Sequence, residues 1–169
     1  MKFFTTLKFA KTREGAVIPS KREEDAGFDI YACIEDTLVI MPHTTEIVPS
    51  GIAAVCEPDY CLLLQERGST GTKGIAQRCG VIDSGYRGEI MVPLTNTTDR
   101  PILLYNPATV SDTVSFVSAV EPIRYPTTKA ITQAILVPVP IVEASEISYH
   151  ELLAIPSERG TGRLGSSGK

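Results

Sequence analysis

Short apolar segments recur along this chain at spacings of roughly 8–12 residues, and glycines and prolines separate them. Several of the segments alternate apolar with polar residues, the period of two that is typical of half-buried strands. The pattern predicts strands over residues 3–10, 28–32, 38–41, 44–49, 51–55, 61–65 and 133–139. A chain built from such segments is expected to form an all-β sandwich or barrel.

The chain has 169 residues, enough for one domain with a substantial core, and a formal net charge of −4. An acidic balance argues against broad binding to nucleic acid or to anionic membranes. No apolar run approaches the about 18 residues of a spanning helix, and the first eight residues lack the apolar stretch of a signal peptide. We therefore expect a cytoplasmic protein with neither a nucleic-acid partner nor a membrane partner.

Four cysteines, Cys33, Cys56, Cys61 and Cys79, occur without a C-x-x-C pair, and the two histidines lie far apart in sequence. This spacing is unlike that of a zinc site. We interpret the cysteines as reduced thiols in or near strands.

Residues 80–90 predict a strand, a tight turn and a second strand, with Val81 and Ile82 leading into the turn. Gly85 can take a positive φ in such a turn. Asp83 and Tyr86 then lie at the mouth of a hairpin, where a carboxylate can serve as a base and a ring can pack on a ligand. The alternatives are a turn Asp that caps its own backbone and an ordinary cross-strand aromatic.

Residues 67–74 contain three glycines, three hydroxyl side chains, one arginine and one lysine. Backbone amides freed by glycine, together with hydroxyls and an Arg, suit the binding of an anion such as phosphate. The alternative is a surface loop that happens to have this composition.

Three further segments carry weaker signals. Residues 98–128 contain four prolines and are expected to be irregular, and residues 147–155 fit either a helical turn or a strand. Residues 157–169 are rich in Gly and Ser and cannot pack a core. They are either a disordered end or an arm that closes over a ligand.

Taken together, these segments resemble the five motifs of the trimeric dUTP pyrophosphatase (dUTPase) family, in the family's order. The matching stretches are Asp25-Ala26-Gly27-Phe28-Asp29-Ile30, Arg67-Gly68-Ser69-Thr70-Gly71, residues 80–89, Ile131-Thr132-Gln133, and Arg159-Gly160 with Gly165-Ser166-Ser167-Gly168. The resemblance covers nearly the whole chain. It implies a dUTPase-like jelly-roll, a distorted β-barrel or sandwich, in a homotrimer whose subunits exchange C-terminal arms. The β domain would span 1–156, with an insertion at about 98–128, and the arm would span 157–169.

The activity that the resemblance implies is hydrolysis of dUTP to dUMP and pyrophosphate, with Mg²⁺ held by substrate phosphates and water. This reaction keeps uracil out of DNA and supplies dUMP for dTMP synthesis. Asp83 matches the carboxylate that activates water, and Asp29 matches a residue that supports the site. Phosphate contacts would come from Arg67, Gly68, Ser69, Gln133, Arg159, Ser166 and Ser167. Contacts to the nucleoside would come from Gln77, Val81, Ile82, Tyr86, Met91, Leu164 and Gly165.

The chain departs from the family pattern at several of these positions. Gly68 stands where a Ser usually follows the Arg, and Gln77 replaces an Asn before the third motif. Leu164 replaces the Phe that stacks on uracil, and Lys129-Ala130 stands where the fourth motif usually opens with Gly-Asp-Arg. The extra length in 99–128 is similar to that of phage-encoded members.

Two other functions compete with this one. The first is dCTP deaminase, which shares the fold, but its deaminating Glu would fall at Pro93, which has no acid or base. The second is a nucleotide-binding regulator that contacts a protein partner through residues 98–128. The carboxylate at Asp83 favours the enzyme.

Overall fold

The computed structural model describes residues 5–78, 80–109 and 120–162, which form twelve β-strands and two short helices. The strands are β1 Leu7–Lys11, β2 Phe28–Ile30, β3 Thr37–Ile40, β4 Thr45–Pro49, β5 Ile52–Cys56, β6 Tyr60–Gln65, β7 Ile75–Gln77, β8 Val81–Asp83, β9 Met91–Asn96, β10 Ile102–Tyr105, β11 Ile123–Pro126 and β12 Thr132–Pro138. The helices are α1 Gly68–Gly71 and α2 Tyr149–Ala154. The prediction of an all-β chain is confirmed.

The strands form four small sheets, and the strand orders show no closed barrel among the described residues. Their orders are β1-β5, β11-β10-β3, β2-β12-β6-β8 and β4-β9-β7. All pairings are antiparallel except that of β10 with β11. The longest ladder joins β12 to β6, and it places Gln133 opposite Gln65.

The core consists mainly of aliphatic side chains from alternate strand positions. Leu62 and Leu64 are buried in β6, and Val92 and Leu94 are buried in β9, as the period of two requires. Removal of this apolar surface from water is the main favourable contribution to folding. The prediction of a buried strand over residues 61–65 is confirmed at Leu62 and Leu64.

Residues 98–128 are more ordered than predicted. β10 and β11 pair in parallel, β10 also pairs with β3, and Tyr125 on β11 is fully buried. The prediction of an irregular stretch is wrong at both ends, because Pro101 and Pro122 precede strands rather than interrupt them. Residues 110–119 lie outside the described residues, so a partner surface there stays a prediction.

The hairpin predicted over residues 80–90 is also corrected. β8 pairs with β6, whereas β9 pairs with β4 and β7, so the two strands belong to different sheets. The turn at Asp83 is present, since the Tyr86 amide donates to the Asp83 carbonyl at 3.0 Å. Residues 84–90 between the strands are more than a two-residue hairpin needs, and they carry the chain from one sheet to the other.

The chain divides into two compact units, residues 1–139 and 140–169, and an arm that begins at residue 157 stays a prediction. Within the second unit α2 resolves the ambiguity over 147–155 in favour of a helix. Ser148 begins it with a capping box, in which its hydroxyl accepts from the Glu151 amide and the Glu151 carboxylate accepts from the Ser148 amide.

Three cysteines are described, Cys33, Cys56 and Cys61, and all are free thiols. Burial raises the pKa of Cys33 and of Cys56, which disfavours the thiolate form that binds metals. In the described ranges no helix is long and apolar enough to cross a membrane.

Candidate functional site

The segment predicted as an anion-binding loop is partly a single helical turn, α1. The Arg67 carbonyl accepts from the Thr70 and Gly71 amides, and the buried Thr70 hydroxyl donates to the same carbonyl at 2.9 Å. Because a first helical turn leaves its leading amides without intrahelical partners, the amides of Gly68 and Ser69 stay available. Neither donates to any residue in the described part of the chain.

The Arg67 guanidinium is held in place by a carboxylate from β2. Its Nε lies 3.1 Å from Asp29 Oδ1 and its Nη2 donates to Asp29 Oδ2 at 3.2 Å. Nη1 donates to the Ala130 carbonyl at 3.3 Å. This two-point contact orients the planar guanidinium, so its charge has a defined position before any ligand arrives.

Gln133 on β12 lies beside Asp29 and Gln65 in the sheet register. Its amide nitrogen donates to the Glu66 carbonyl at 3.1 Å. A Cβ at Gly27 would lie only 3.0 Å from Gln133 Oε1, so a glycine lets this side chain pack closely against the first motif. The sheet thereby brings parts of the first, second and fourth motifs together.

These residues line an open cleft of about 700 Å³. Its predicted members are Asp29, Arg67, Gly68, Ser69 and Gln133. Its other lining residues are Ser20, Lys21, Arg22, Asp25, Ala26 and Gly27. Lys21 and Arg22 were missed as site residues, although two adjacent cations shortly before the first motif are a signal that was present in the sequence.

Asp83 lies apart from this cleft, at the end of β8. It is exposed, and among the residues that the structure describes none donates a hydrogen bond to its carboxylate. The Asp83 side chain therefore does not cap its own backbone in this turn. The carboxylate is open to water, which is the arrangement that a general base requires.

The position of the Tyr86 side chain is fixed by contacts with the residues that follow it. Its hydroxyl donates to the Glu89 carbonyl at 2.9 Å, and its ring lies where a Cβ at Gly88 would be. The Glu89 carboxylate accepts from the Gly51 amide at 2.7 Å and from Arg13 Nε at 2.9 Å. Gly85 does not have the positive φ that its position in the turn suggested, and a Cβ there would meet open space.

Of the predicted nucleoside contacts that the structure describes, Val81 and Ile82 lie on β8, an edge strand of its sheet. Val81 is 63% exposed, Ile82 packs against the core, and Met91 begins β9. An edge strand presents unpaired backbone groups on one side, which suits recognition of a base edge. Gln77 lies on β7, where its side-chain oxygen accepts from the Thr132 hydroxyl at 2.6 Å and its nitrogen donates to the Leu64 carbonyl at 3.4 Å.

Strand β6 separates the two groups of site residues. Asp83 pairs with Cys61 near the start of β6, while Gln133 pairs with Gln65 at its end, immediately before Glu66 and Arg67. Four residues of strand span about 13 Å. Within one protomer the register thus places Asp83 and the cleft beside opposite ends of β6.

Arg159 lies in the second unit, in an exposed turn in which its carbonyl accepts from the Gly162 amide. Leu164, Gly165, Ser166 and Ser167 lie outside the described residues.

The carboxylates of the cleft do not suit a protein-held metal. Asp25 is ion-paired with Arg22, and Asp29 is ion-paired with Arg67. No group of three or more His, Cys, Asp or Glu side chains in the described part of the chain could hold a metal ion. The donor set fits a metal whose ligands are substrate phosphates and water.

Comparison with known proteins identifies the family. The family model described as dUTPase matches residues 13–110. The deoxyuridine 5'-triphosphate nucleotidohydrolase of Neisseria meningitidis serogroup C is 31% identical over 167 residues, covering 96% of this chain and 95% of the relative. The protein of the same name from Paraburkholderia xenovorans is 30% identical, covering 85% and 83% respectively.

Solved structures share the fold. The dUTPase of Staphylococcus bacteriophage 80alpha, in its structure with dUPNHPP, superposes with a TM-score of 0.75 at 24% identity, covering 97% of this chain and 99% of that chain. The EIAV dUTPase superposes with a TM-score of 0.60, also at 24% identity, covering 85% of this chain and 98% of that chain. These likenesses confirm the predicted dUTPase-like jelly-roll. The chain belongs to the dUTPase family.

Proposed function

We propose that this protein hydrolyses dUTP to dUMP and pyrophosphate. The observation that carries the proposal is the family match over residues 13–110, which contains both the Asp83 turn and the Arg67 segment. In a cell this reaction keeps uracil out of DNA and supplies dUMP for dTMP synthesis.

The active site is assembled from more than one subunit of a homotrimer. The separation of Asp83 from the Arg67 cleft along β6 supports this, because the base and the phosphate ligands must meet around one triphosphate. In this arrangement the Asp83 turn of one subunit faces the cleft of another. Residues 157–169 of a third subunit form the arm, which extends the β domain of residues 1–156.

The proposed chemistry is in-line attack of water on the α-phosphorus. The Asp83 carboxylate accepts the proton of the attacking water, and pyrophosphate leaves. Arg67, the amides of Gly68 and Ser69, and the Gln133 amide bind the phosphates as negative charge moves onto the leaving group. Asp29 acts through Arg67 by holding its guanidinium. Mg²⁺ would be held by the substrate phosphates and water, and when bound it would neutralise part of the triphosphate charge.

The nucleoside binds at the β8 edge. Backbone groups near Val81, Ile82 and Met91 pair with the uracil edge, and cytosine would leave some of them unpaired. Tyr86 packs on the deoxyribose and excludes a 2′-hydroxyl. Gln77 contributes through water or by orienting this backbone, since its amide already bonds to Thr132 and Leu64.

The arm completes the site. Arg159 brings a cation, Ser166 and Ser167 donate to the outer phosphate, and Leu164 with Gly165 covers the base. Closure of such a segment excludes water other than the nucleophile. Leucine at 164 covers a ring without aromatic stacking, a loss of about 0.5–1.5 kcal/mol relative to an aromatic pair.

The test is a product assay with purified protein and Mg²⁺, in which dUTP, dCTP and dTTP are offered separately and both pyrophosphate and ammonia are measured. Pyrophosphate from dUTP alone is the expected result. Ammonia from dCTP would identify a deaminase instead, which Pro93 disfavours because its side chain has no acid or base. Nucleotide binding without turnover would favour a regulator.

A further inference from the structure

The loop that precedes β2 forms one wall of the cleft. Ser20 makes an isolated bridge to Asp29, whose amide donates to the Ser20 carbonyl at 3.0 Å. A turn follows, in which the Asp25 amide donates to the Arg22 carbonyl at 3.2 Å. Lys21 therefore begins a short loop that is tied at its start to the same strand that carries Asp29.

The Lys21 ammonium group is fixed within this loop. It donates to the Asp25 carbonyl at 2.7 Å, and two longer contacts reach the carbonyls of Arg22 at 3.2 Å and Glu23 at 3.4 Å. It also lies 5.7 Å from the centre of the Phe28 ring. A lysine side chain ordinarily loses considerable rotamer freedom on binding a ligand, and here that freedom is already restricted.

Lys21 differs from the other two cations of the cleft because it does not form an ion pair with a carboxylate in the described part of the chain. Arg67 is ion-paired with Asp29, and Arg22 is ion-paired with Asp25. Among the described residues no carboxylate lies within ion-pair distance of Lys21, since its partners are uncharged carbonyls. The cleft thus contains three cationic and two anionic side chains, so its net charge is positive. Within the described ranges Lys21 is the cation without an ion pair, although its charge helps to lower the pKa of the nearby Asp25 carboxyl.

We propose that Lys21 is a further polyphosphate-binding residue of this cleft, acting as a fixed positive charge for the phosphate chain of the ligand. The identity of that ligand as dUTP rests on the proposed function, but the binding of a polyphosphate does not. A charge that is present before and during the reaction stabilises the bound substrate and the transition state alike. Loss of Lys21 is therefore expected to raise KM for dUTP more than it lowers kcat.

The test uses inorganic tripolyphosphate as the probe, with binding measured by calorimetry at several salt concentrations. Lys21→Gln keeps a donor for the Asp25 carbonyl and removes the charge. We expect it to weaken tripolyphosphate binding about five- to tenfold and to reduce the salt dependence. Deoxyuridine, which has no phosphate, is expected to bind both proteins equally. Lys8→Gln on β1 is the matched control, because it makes the same charge change outside the cleft.

Lys21→Arg separates charge from loop structure. If charge is what matters, Lys21→Arg retains most of the binding that Lys21→Gln loses. Equal losses in both variants, together with a lower Tm, would assign Lys21 a structural role and overturn the proposal, as would unchanged tripolyphosphate binding by Lys21→Gln.

Failure of the role proposed for Lys21 can be distinguished from failure of the proposed dUTP hydrolysis. Wild-type protein that hydrolyses dUTP while Lys21→Gln keeps the same KM would contradict the role of Lys21 alone. Wild-type protein that binds tripolyphosphate through Lys21 but never hydrolyses dUTP would support this role and reject the proposed reaction.

Discussion

The cleft around Arg67 and the turn around Asp83 lie on opposite ends of the same strand, β6, and they are organised differently. In the cleft two of the three cations are ion-paired, Arg67 with Asp29 and Arg22 with Asp25. At the turn the backbone is well bonded, but the Asp83 carboxylate has no partner among the described residues. A binding region gains from groups held in position, whereas a base must keep its lone pairs free for water.

The largest expected effect is at the turn. Asp83→Asn should lower kcat for dUTP by about 10²–10⁴, because general-base catalysis typically contributes that much. dUTP binding, measured by calorimetry, should persist because the cleft is unchanged. Asp59→Asn is the control, an exposed carboxylate in another turn whose loss should leave kcat unaltered. Retained turnover in Asp83→Asn would show that Asp83 is not the general base.

The next largest effect tests whether the two regions of one protomer serve different sites. Asp83→Asn and Arg67→Ala trimers should each be nearly inactive. Trimers assembled from an equal mixture should recover about one quarter of wild-type turnover, because one site in four combines an intact Asp83 with an intact Arg67 from another subunit. Mass spectrometry of the mixed assemblies checks their composition. No recovery in verified mixed trimers would mean that both residues come from the same protomer.

A smaller effect is expected within the cleft. Arg67→Lys keeps the charge but cannot make the two-point contact with Asp29. KM for dUTP should rise about tenfold, as expected when charge-assisted hydrogen bonds are lost. Arg100→Lys is a matched control, since Arg100 is also anchored by hydrogen bonds to carbonyls but lies outside the cleft. Equal KM values for both variants would argue against preorganisation by Asp29.

Alanine substitutions at two glycines test the geometry of the turn. Gly88→Ala should displace the Tyr86 ring and raise KM for dUTP by about threefold, as expected for the loss of one modest packing contact. Gly85→Ala should change little, since a Cβ there meets open space at an ordinary φ. Steady-state kinetics of the two variants give the comparison. If Gly85→Ala were the more damaging, the described turn would be incorrect.

The smallest effect concerns the loop of Lys21. Hydrogen bonds from Arg22 lower the pKa of Asp25 below its ordinary value of 3.8. A carboxyl whose pKa is lower in the folded state stabilises the fold above its unfolded pKa, and this is lost as pH falls through the folded pKa. Asp25→Asn should therefore lower Tm slightly at pH 7, with the difference shrinking below about pH 4. A difference that stays constant with pH would rule out this ion pair as its cause.

The sequence alone determined the β class, the position of many of the strands, and the residues that match the five motifs. It could do so because strand periodicity and turn chemistry are local properties of the chain. It did not determine which strands pair. The apparent hairpin at 80–90 is a crossover between two sheets, and Pro101 and Pro122 precede strands whose partners are distant in sequence.

Only the tertiary structure brought Asp29, Arg67 and Gln133 into one cleft, added Lys21 to it, and separated all of them from Asp83. The roles of these residues stay predictions. Strand register is the reason why the sequence could not place these side chains together. The ladders between β2, β12, β6 and β8 decide which side chains become neighbours, and a register depends on several strands at once.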